Sequence, residues 1–592
     1  MTHSEKLSLL RDSMQSAHID AYIISLADPH ISEYLPDRYK NIEWLSGFTG
    51  SAGTLVVTAD FAGLWTDSRY FVQAADQLKD TGFELVKLKV QGAAEYADWL
   101  AEHLSAGTTV AFDGKLVSIA VAQQVITGLE RKAITVKTDA DLIDPIWTDR
   151  PELPKEQAFL ITEAQSGKST TEKVAEVRAA MQKKGVDFHL VSSLDDISWI
   201  FNIRGGDVKC NPVVLSFALF SPDRVELFID KKKLNEQDLA ALEQAGIAIS
   251  DYDGVTNALE RIPAGKNVLI DPKRNCFAHF DKIPKRCVKI QDINPSTHLK
   301  AIKNKTELKH TRQTMAKDGA ALTRFFYWLE QSVGQEEVNE ISLAEKLRTF
   351  RAEQDGFVGE SFDTIAGYRA HGALPHYKAV PESNAVLEKK GLLLVDSGGQ
   401  YQTGTTDITR VVSLGEATEQ EKTDYTLVLK AMIEGSMCSY PAGTRGYQID
   451  AITRKPLWDY QRNYGHGTGH GVGFFLNVHE GPHVFNSAPI DITIEPGMVT
   501  SIEPGLYREG EYGIRIENLV ASHWTDQTFF GQFMNFETLT LCYIETSLIH
   551  QELLDQRHID WLNAYHQKVY EQVSPLLNAE ENQWLARKTQ AI

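Results

Sequence analysis

Gly391-Leu-Leu-Leu-Val-Asp396-Ser-Gly-Gly-Gln-Tyr-Gln-Thr-Gly-Thr-Thr-Asp407-Ile-Thr-Arg-Val-Val-Ser-Leu414 is the stretch that decides how this chain is read. Its apolar run 391–395 has the pattern of a buried strand, ending on Asp396 and opening into a Ser-Gly-Gly turn. A second β-rich run starts at Asp407. The two runs are close enough to pair as a hairpin, which would set both carboxylates on one side.

Three further residues extend this pair. Glu503 closes Gly497-Met-Val-Thr-Ser-Ile-Glu503, just before Pro504-Gly505. Glu517 lies in Tyr512-Gly-Ile-Arg-Ile-Glu-Asn-Leu-Val520, where period-2 alternation puts Arg515 and Glu517 on one face and Ile514 and Ile516 on the other. His470 sits in Gly465-His-Gly-Thr-Gly-His-Gly-Val-Gly473, whose five glycines allow close backbone approach to a ligand and positive φ. Four carboxylates and one imidazole are the ligand set of a two-metal hydrolase. Shared carboxylates in such sites hold two divalent ions about 3.5–4 Å apart, with a bridging water as nucleophile.

Taken singly, each residue has a blander explanation. An Asp after a strand is most often a turn or cap residue. A Glu on a strand is usually a solvated face, and a His in a glycine loop is more often structural than a ligand. A phosphate loop is disfavoured, because no Gly-Lys-Ser/Thr and no helix start follow the glycines. The weight lies in the combination and its flanking residues.

That combination resembles a known family. Asp396-Ser-Gly-Gly-Gln-Tyr-x3-Thr405-Thr-Asp407, Gly465-His-Gly-Thr-Gly-His470-Gly-Val-Gly, Asn477-Val-His479-Glu-Gly-Pro482, Ser501-Ile-Glu503-Pro-Gly505 and Gly513-Ile-Arg-Ile-Glu517-Asn are similar to the motifs of aminopeptidase P, the Xaa-Pro aminopeptidases among the pita-bread metallopeptidases. The likeness is to the long, three-domain form. It runs along nearly all of the chain, including Trp44-Leu-Ser-Gly-Phe-Thr-Gly-Ser-Ala-Gly53 and Trp65-Thr-Asp-Ser-Arg-Tyr-Phe71. One departure is Cys542-Tyr543, where a proline-containing pair is expected after Leu539-Thr-Leu541, away from the ligands.

The resemblance implies a curved antiparallel sheet with helices on its outer face, where periodicity alone gives only α+β. It implies Asp396 on one metal, His470 and Glu503 on the other, and Asp407 and Glu517 bridging. It implies manganese; a carboxylate-rich shell with one imidazole leaves zinc, cobalt and iron open. Glu503 would take a proton from the attacking water and pass it to the departing amine. His479, and after it His376, would hydrogen-bond the developing oxyanion. His466 would line the pocket for the residue after the cut, and Arg515 would orient a ligand. Arg69 could reach substrate only through domain packing or a neighbouring subunit. Without the resemblance, packing roles for the three histidines stay open. The implied activity is removal of the N-terminal residue from peptides with proline second, by a homodimer. An Xaa-Pro dipeptidase is the alternative; the two N-terminal domains and the 465–473 loop favour the aminopeptidase. A catalytically dead binding module and a metal-free amidinohydrolase are disfavoured by the intact ligand set.

Composition agrees with this class. The 592 residues exceed the roughly 250–300 at which single cores divide. A net charge of −20 without a basic cluster argues against nucleic acid as a partner. The five scattered cysteines give neither a disulfide framework nor a cysteine zinc site, which favours a reducing compartment. The N-terminal residues lack an apolar signal core, and no run approaches the ~18 apolar residues of a membrane span. A cytoplasmic protein without a membrane partner is expected.

An internal repeat organises the first half. Arg11-x2-Met14-Gln15-x4-Asp20-x4-Ser25 aligns with Arg178-x2-Met181-Gln182-x4-Asp187-x4-Ser192, and Asp28 with Asp195. Leu64-Trp-Thr-Asp67 resembles Leu227-Phe-Ile-Asp230, and Trp44-Leu-Ser-Gly-Phe48 resembles Trp199-Ile-Phe-Asn-Ile203. The expected architecture is multidomain, α/β and α+β. Two related α/β domains, 1–150 and 151–298, precede a pita-bread catalytic domain, 299–592. Proline-rich 144–154 and Asn294-Pro295 mark the boundaries. A long amphipathic helix is predicted from Lys305 to about Val333, and another from the capping box Thr418-Glu-Gln-Glu421. A helical extension follows from about residue 547.

Overall fold

Asp20 and Asp187 show the repeat at the level of single bonds. The Asp20 carboxylate accepts from Thr109 N at 2.7 Å while Asp20 N donates to Thr109 O at 2.8 Å. The Asp187 carboxylate accepts from Asn267 N, and Asp187 N donates to Asn267 O, both at 2.9 Å. Arg11 Nε reaches Thr58 O at 2.9 Å, and Arg178 Nη1 reaches Ser221 O at 2.8 Å. Each arginine therefore ties its first helix to the end of the corresponding strand.

The computed structural model describes residues 1–90 and 92–592. These fall into two units, Met1–Thr162 with Lys168–Thr297, and Glu163–Gly167 with His298–Ile592.

The first unit holds two six-stranded mixed sheets of the same topology. The first orders its strands Glu84–Lys87, Ala62–Thr66, Thr54–Thr58, Ala21–Ser25, Thr109–Phe112 and Thr135–Lys137. The second runs Ile247–Ser250, Val225–Ile229, Ser216–Phe220, Phe188–Val191, Asn267–Ile270 and Val288–Gln291. The two halves are stitched by backbone bonds such as Phe277 N to Val117 O at 2.8 Å, and by His30, whose ring bonds Ser192 O and the Tyr252 hydroxyl. Arg69 forms a two-pronged pair with Asp67, both bonds 2.8 Å.

In the second unit every strand pairing is antiparallel. Leu392–Ser397 pairs with Ile408–Ser413, so the expected hairpin forms, with Asp396 opposite Thr409. A smaller hairpin, Gly399–Tyr401 with Gly404–Thr405, fills the connection. A six-stranded sheet runs Tyr440–Pro441, Gly531–Thr538, Asn518–Thr528, Val499–Ile502, Gly469–Gly471 and Glu480–Phe485. Leu392, Leu393, Leu394 and Val395 are all buried, each worth roughly 1.5–3 kcal/mol of hydrophobic stabilisation.

The helices begin where their caps place them. Asn304 caps Lys305–Ser332 with a reciprocal bond from Glu307, and Thr418 caps Glu419–Ser436 with one from Glu421. The first buries Met315, Leu322, Phe325, Phe326 and Leu329, a spacing that keeps one face on the core. The C-terminal extension forms Gln556–Val573 and Ala579–Lys588. No helix among the described residues is long and apolar enough to cross a membrane.

Candidate active site

Asp396 is the penultimate residue of the central strand of its sheet, and Asp407 immediately precedes the strand beside it. Glu503 follows Val499–Ile502 and is pinned by its N–H to Thr468 O at 2.8 Å. The alternating segment around Glu517 is not one strand. It divides into Tyr512–Arg515 and Asn518–Thr528, and Glu517 sits in the break with its N–H on Thr409 O at 3.1 Å. The predicted shared face is still present, because Thr409 Oγ1 accepts from Arg515 Nε at 3.2 Å and donates to Glu517 Oε2 at 2.8 Å.

Asp407, His470 and Glu517 each offer one ligand atom, all within 4.8 Å of one another. His470 Nε2 lies 3.4 Å from Asp407 Oδ2 and 3.4 Å from Glu503 Oε1. Ser501 Oγ donates to Glu503 Oε1 at 3.1 Å and accepts from His470 N at 2.9 Å. The His479 ring stands edge-on to His470, centroids 4.3 Å apart. Glu480, next to His479, is buried and held by Lys300 at 3.0 Å and by Lys303.

The glycines of 465–473 serve close packing, and positive φ plays no part. None of the five adopts it. A Cβ on Gly469 would meet Ser501 O at 1.8 Å, and one on Gly471 would meet Glu480 O at 2.4 Å. Neighbouring backbone, not a ligand, occupies that space.

The electrostatics of the cluster are those of a cation site. Burial, then the charges of Asp407, Glu503 and Asp396, push Glu517 well above the usual carboxylate range. Burial and the nearby Asp407 charge raise Asp396 against the opposing pull of Arg515. Glu503 is pushed up to about 7 by burial and by Asp407 and Asp396, against His470 and Arg515. Burial alone would lower His470, but Asp407 and Glu503 carry it up to about 9. Asp396 Oδ1 and Glu517 Oε1 are buried without a hydrogen-bond partner. A buried carboxylate without a compensating charge is costly and takes up a proton instead, which is the upward shift just described. Divalent cations would satisfy both oxygens and relieve the repulsion, so these residues fit a carboxylate-bound metal pair.

Four supporting residues escaped the sequence reading. Arg515 donates to Asp396 Oδ2 at 2.5 Å, to the Tyr507 hydroxyl at 2.7 Å and to Pro375 O at 3.3 Å; its partner Tyr507 was not foreseen. The Tyr507 hydroxyl meets His466 Nε2 at 2.7 Å, and His466 Nδ1 meets Gly467 O at 2.7 Å. With the proton on Nδ1 these bonds run in one consistent direction from Arg515 to the backbone. Thr409 and Ser501 bridge pairs of ligand candidates. Arg410 is fully buried, with Nη1 on Glu517 O at 2.5 Å and Nη2 on Cys542 O and the Tyr565 hydroxyl, both at 2.9 Å. Cys542-Tyr543, expected away from the ligands, is therefore one guanidinium removed from Glu517. Short hydroxyl residues on strands carry no pattern that would have marked them.

Residues 309–522 match metallopeptidase family M24, and 532–592 match its C-terminal region. Residues 6–144 and 149–307 each match a creatinase/prolidase N-terminal domain. Fold and site thus define a metallopeptidase with creatinase-type N-terminal domains. Xaa-Pro aminopeptidase 1 of Dictyostelium discoideum is 38% identical over 601 residues, spanning 98% of this chain and 94% of that protein. Aminopeptidase P2 of Arabidopsis thaliana is 37% identical, spanning 99% and 88%. The crystal structure of X-prolyl aminopeptidase from Caenorhabditis elegans, described as a cytosolic enzyme with a di-nuclear active site, superposes with a TM-score of 0.95 at 34% identity, covering 100% of both chains. A prolidase from Thermococcus sibiricus, at 23% identity and TM-score 0.52, shares the fold over 64% of this chain. The chain belongs to the aminopeptidase P family of M24 metallopeptidases.

Proposed function

We propose that the chain is a metallo-exopeptidase that hydrolyses the bond between an N-terminal residue and a following proline. The observation that carries the metal-dependent part of this reading is the pair of partnerless buried oxygens, Asp396 Oδ1 and Glu517 Oε1, beside the group Asp407, His470 and Glu517 and with Glu503 3.4 Å from His470. Likeness over the full length to proteins named Xaa-Pro aminopeptidase supports the aminopeptidase over an Xaa-Pro dipeptidase.

Asp396, Asp407, His470, Glu503 and Glu517 would hold the two divalent ions, Asp407 and Glu517 serving both, and manganese would suit the oxygen-rich donor set. When bound, such ions polarise the scissile carbonyl and lower the pKa of water. Glu503 takes the proton of the attacking water and returns it to the proline nitrogen. That nitrogen carries no hydrogen in the peptide and must gain one to leave as a secondary amine. His479 and His376 hydrogen-bond the carbonyl oxygen as it becomes an oxyanion. His466, bonded to Tyr507, lines the proline side. Three domains, 1–150, 151–298 and 299–592, a homodimer and a cytoplasmic location complete the reading. Calorimetric titration of the metal-stripped protein with Mn²⁺ tests it. Two ions per chain are expected; a single ion or none overturns the dinuclear site.

A further inference from the structure

Glu340 opens the helix Glu340–Ala352 and is completely buried. Its carboxylate is committed to loop 368–385, which carries His376. Oε1 accepts from Tyr368 N at 2.9 Å and His371 Nδ1 at 2.8 Å. Oε2 accepts from the Tyr377 hydroxyl and from Ala385 N, both at 2.9 Å. The backbone adds to this grip, with Glu340 N on Ala385 O at 3.1 Å and Leu387 N on Val338 O at 2.8 Å. One side chain thus holds the loop at its start, its middle and its end. The His371 and Tyr377 rings stack at 4.4 Å, which fixes the orientation of two of these donors.

His376 lies between two pins. Before it, the Pro375 carbonyl takes a bond from Arg515, the same guanidinium that holds Asp396. After it, Tyr377 is held by Glu340. A carboxylate is suited to this task because it only accepts, and two of the facing groups are backbone N–H donors that cannot reverse. Its place at a helix N-terminus favours the negative charge.

We infer that Glu340 is a positioning residue for the reaction, acting through His376. The inference rests on the function proposed above. A catalytic group displaced by about 1 Å typically costs about 10²-fold. Glu340→Gln turns one acceptor oxygen into an NH₂ that must face a donor, and so loosens the loop. The test is hydrolysis of an Xaa-Pro-Xaa tripeptide by the Mn²⁺-loaded full chain, comparing wild type, Glu340→Gln, His376→Ala and the double variant. Glu340→Gln is expected to lose 10- to 100-fold in kcat/KM, to bind Mn²⁺ as wild type does, and to cost nothing further on the His376→Ala background. Tyr377→Phe removes one of the donors and should show a smaller loss, also absent on that background. Unchanged kcat/KM in Glu340→Gln, or losses that multiply in the double variant, would overturn the inference. Should Glu340→Gln fail to fold, the Tyr377→Phe and His376→Ala pair decides by the same rule. An inert wild type overturns the functional reading and this inference with it, whereas an active wild type with an indifferent Glu340→Gln overturns only the inference.

Discussion

Arg515 places Nη2 2.5 Å from Asp396 Oδ2, and this contact joins the ligand candidates to the walls of the site. The same guanidinium reaches Thr409, Tyr507 and Pro375. A lysine ammonium cannot span those four directions. Arg515→Lys should therefore lose about 10–100-fold in metal affinity or in activity, the usual effect of removing a group that orients a ligand. Mn²⁺ binding and steady-state kinetics on the variant check this, and wild-type values for both would remove Arg515 from that role.

Asp407 faces His470 directly and is assigned to both ions. Asp407→Asn should abolish turnover and reduce metal content to less than one ion per chain. Chelation of the wild type should abolish turnover reversibly, with Mn²⁺ restoring it. Metal analysis beside activity measures both; full activity in a verified metal-free sample would rule the mechanism out.

His470 and His479 stand edge to face yet are assigned different work. Loss of an oxyanion donor typically costs about 10²–10³ in kcat. His479→Ala should lose that much kcat with metal content and KM nearly unchanged. His470→Ala should lose metal as well. If His479→Ala also loses a metal, the ring belongs among the ligands.

Much of this arrangement was legible in the chain. The apolar run before Asp396 and the capping box at Thr418 are local features, and local physics alone decides them; the Asn304 cap of the helix expected from Lys305 was not read. The repeat was visible because Asp20 and Asp187 make the same bonds in both copies. The break between Arg515 and Asn518 was not legible, because Ile514, Arg515, Ile516 and Glu517 alternate as one continuous strand would and only the long-range bond from Glu517 N to Thr409 O marks the departure. The 465–473 glycines suggested left-handed turns, but their cause is a strand packed against them, which only long-range pairing reveals. Arg410 reaches Glu517 across 107 residues of sequence and Tyr507 reaches His466 across 41, both beyond any period.

A separate consequence concerns acid stability of the N-terminal unit. His30 is buried on Phe217, and burial first, then Lys233, lower it from 6.5 to about 3. The unfolded chain binds a proton at this ring below about pH 6.5, and the folded chain does not until about pH 3. Stability from this group is therefore complete above pH 6.5 and falls as pH drops through that window, by at most about 1.4 kcal/mol per pH unit. Asp28, raised to about 6 by burial, titrates in the opposite sense but is common to both proteins compared. His30→Gln keeps a donor and an acceptor without the titration. Its stability deficit against wild type should shrink between pH 6.5 and 4, measured by denaturant unfolding. A deficit independent of pH would contradict the buried neutral ring.

The most direct test of the central claim is product analysis. The Mn²⁺-loaded chain is incubated with an Xaa-Pro-Xaa tripeptide, its Xaa-Ala-Xaa counterpart and the Xaa-Pro dipeptide, and products are read by mass spectrometry. The account predicts release of the first residue from the tripeptide, leaving a Pro-Xaa remainder, with the alanine peptide cut far more slowly. Equal cleavage of the alanine peptide, or cleavage of the dipeptide alone, would contradict it.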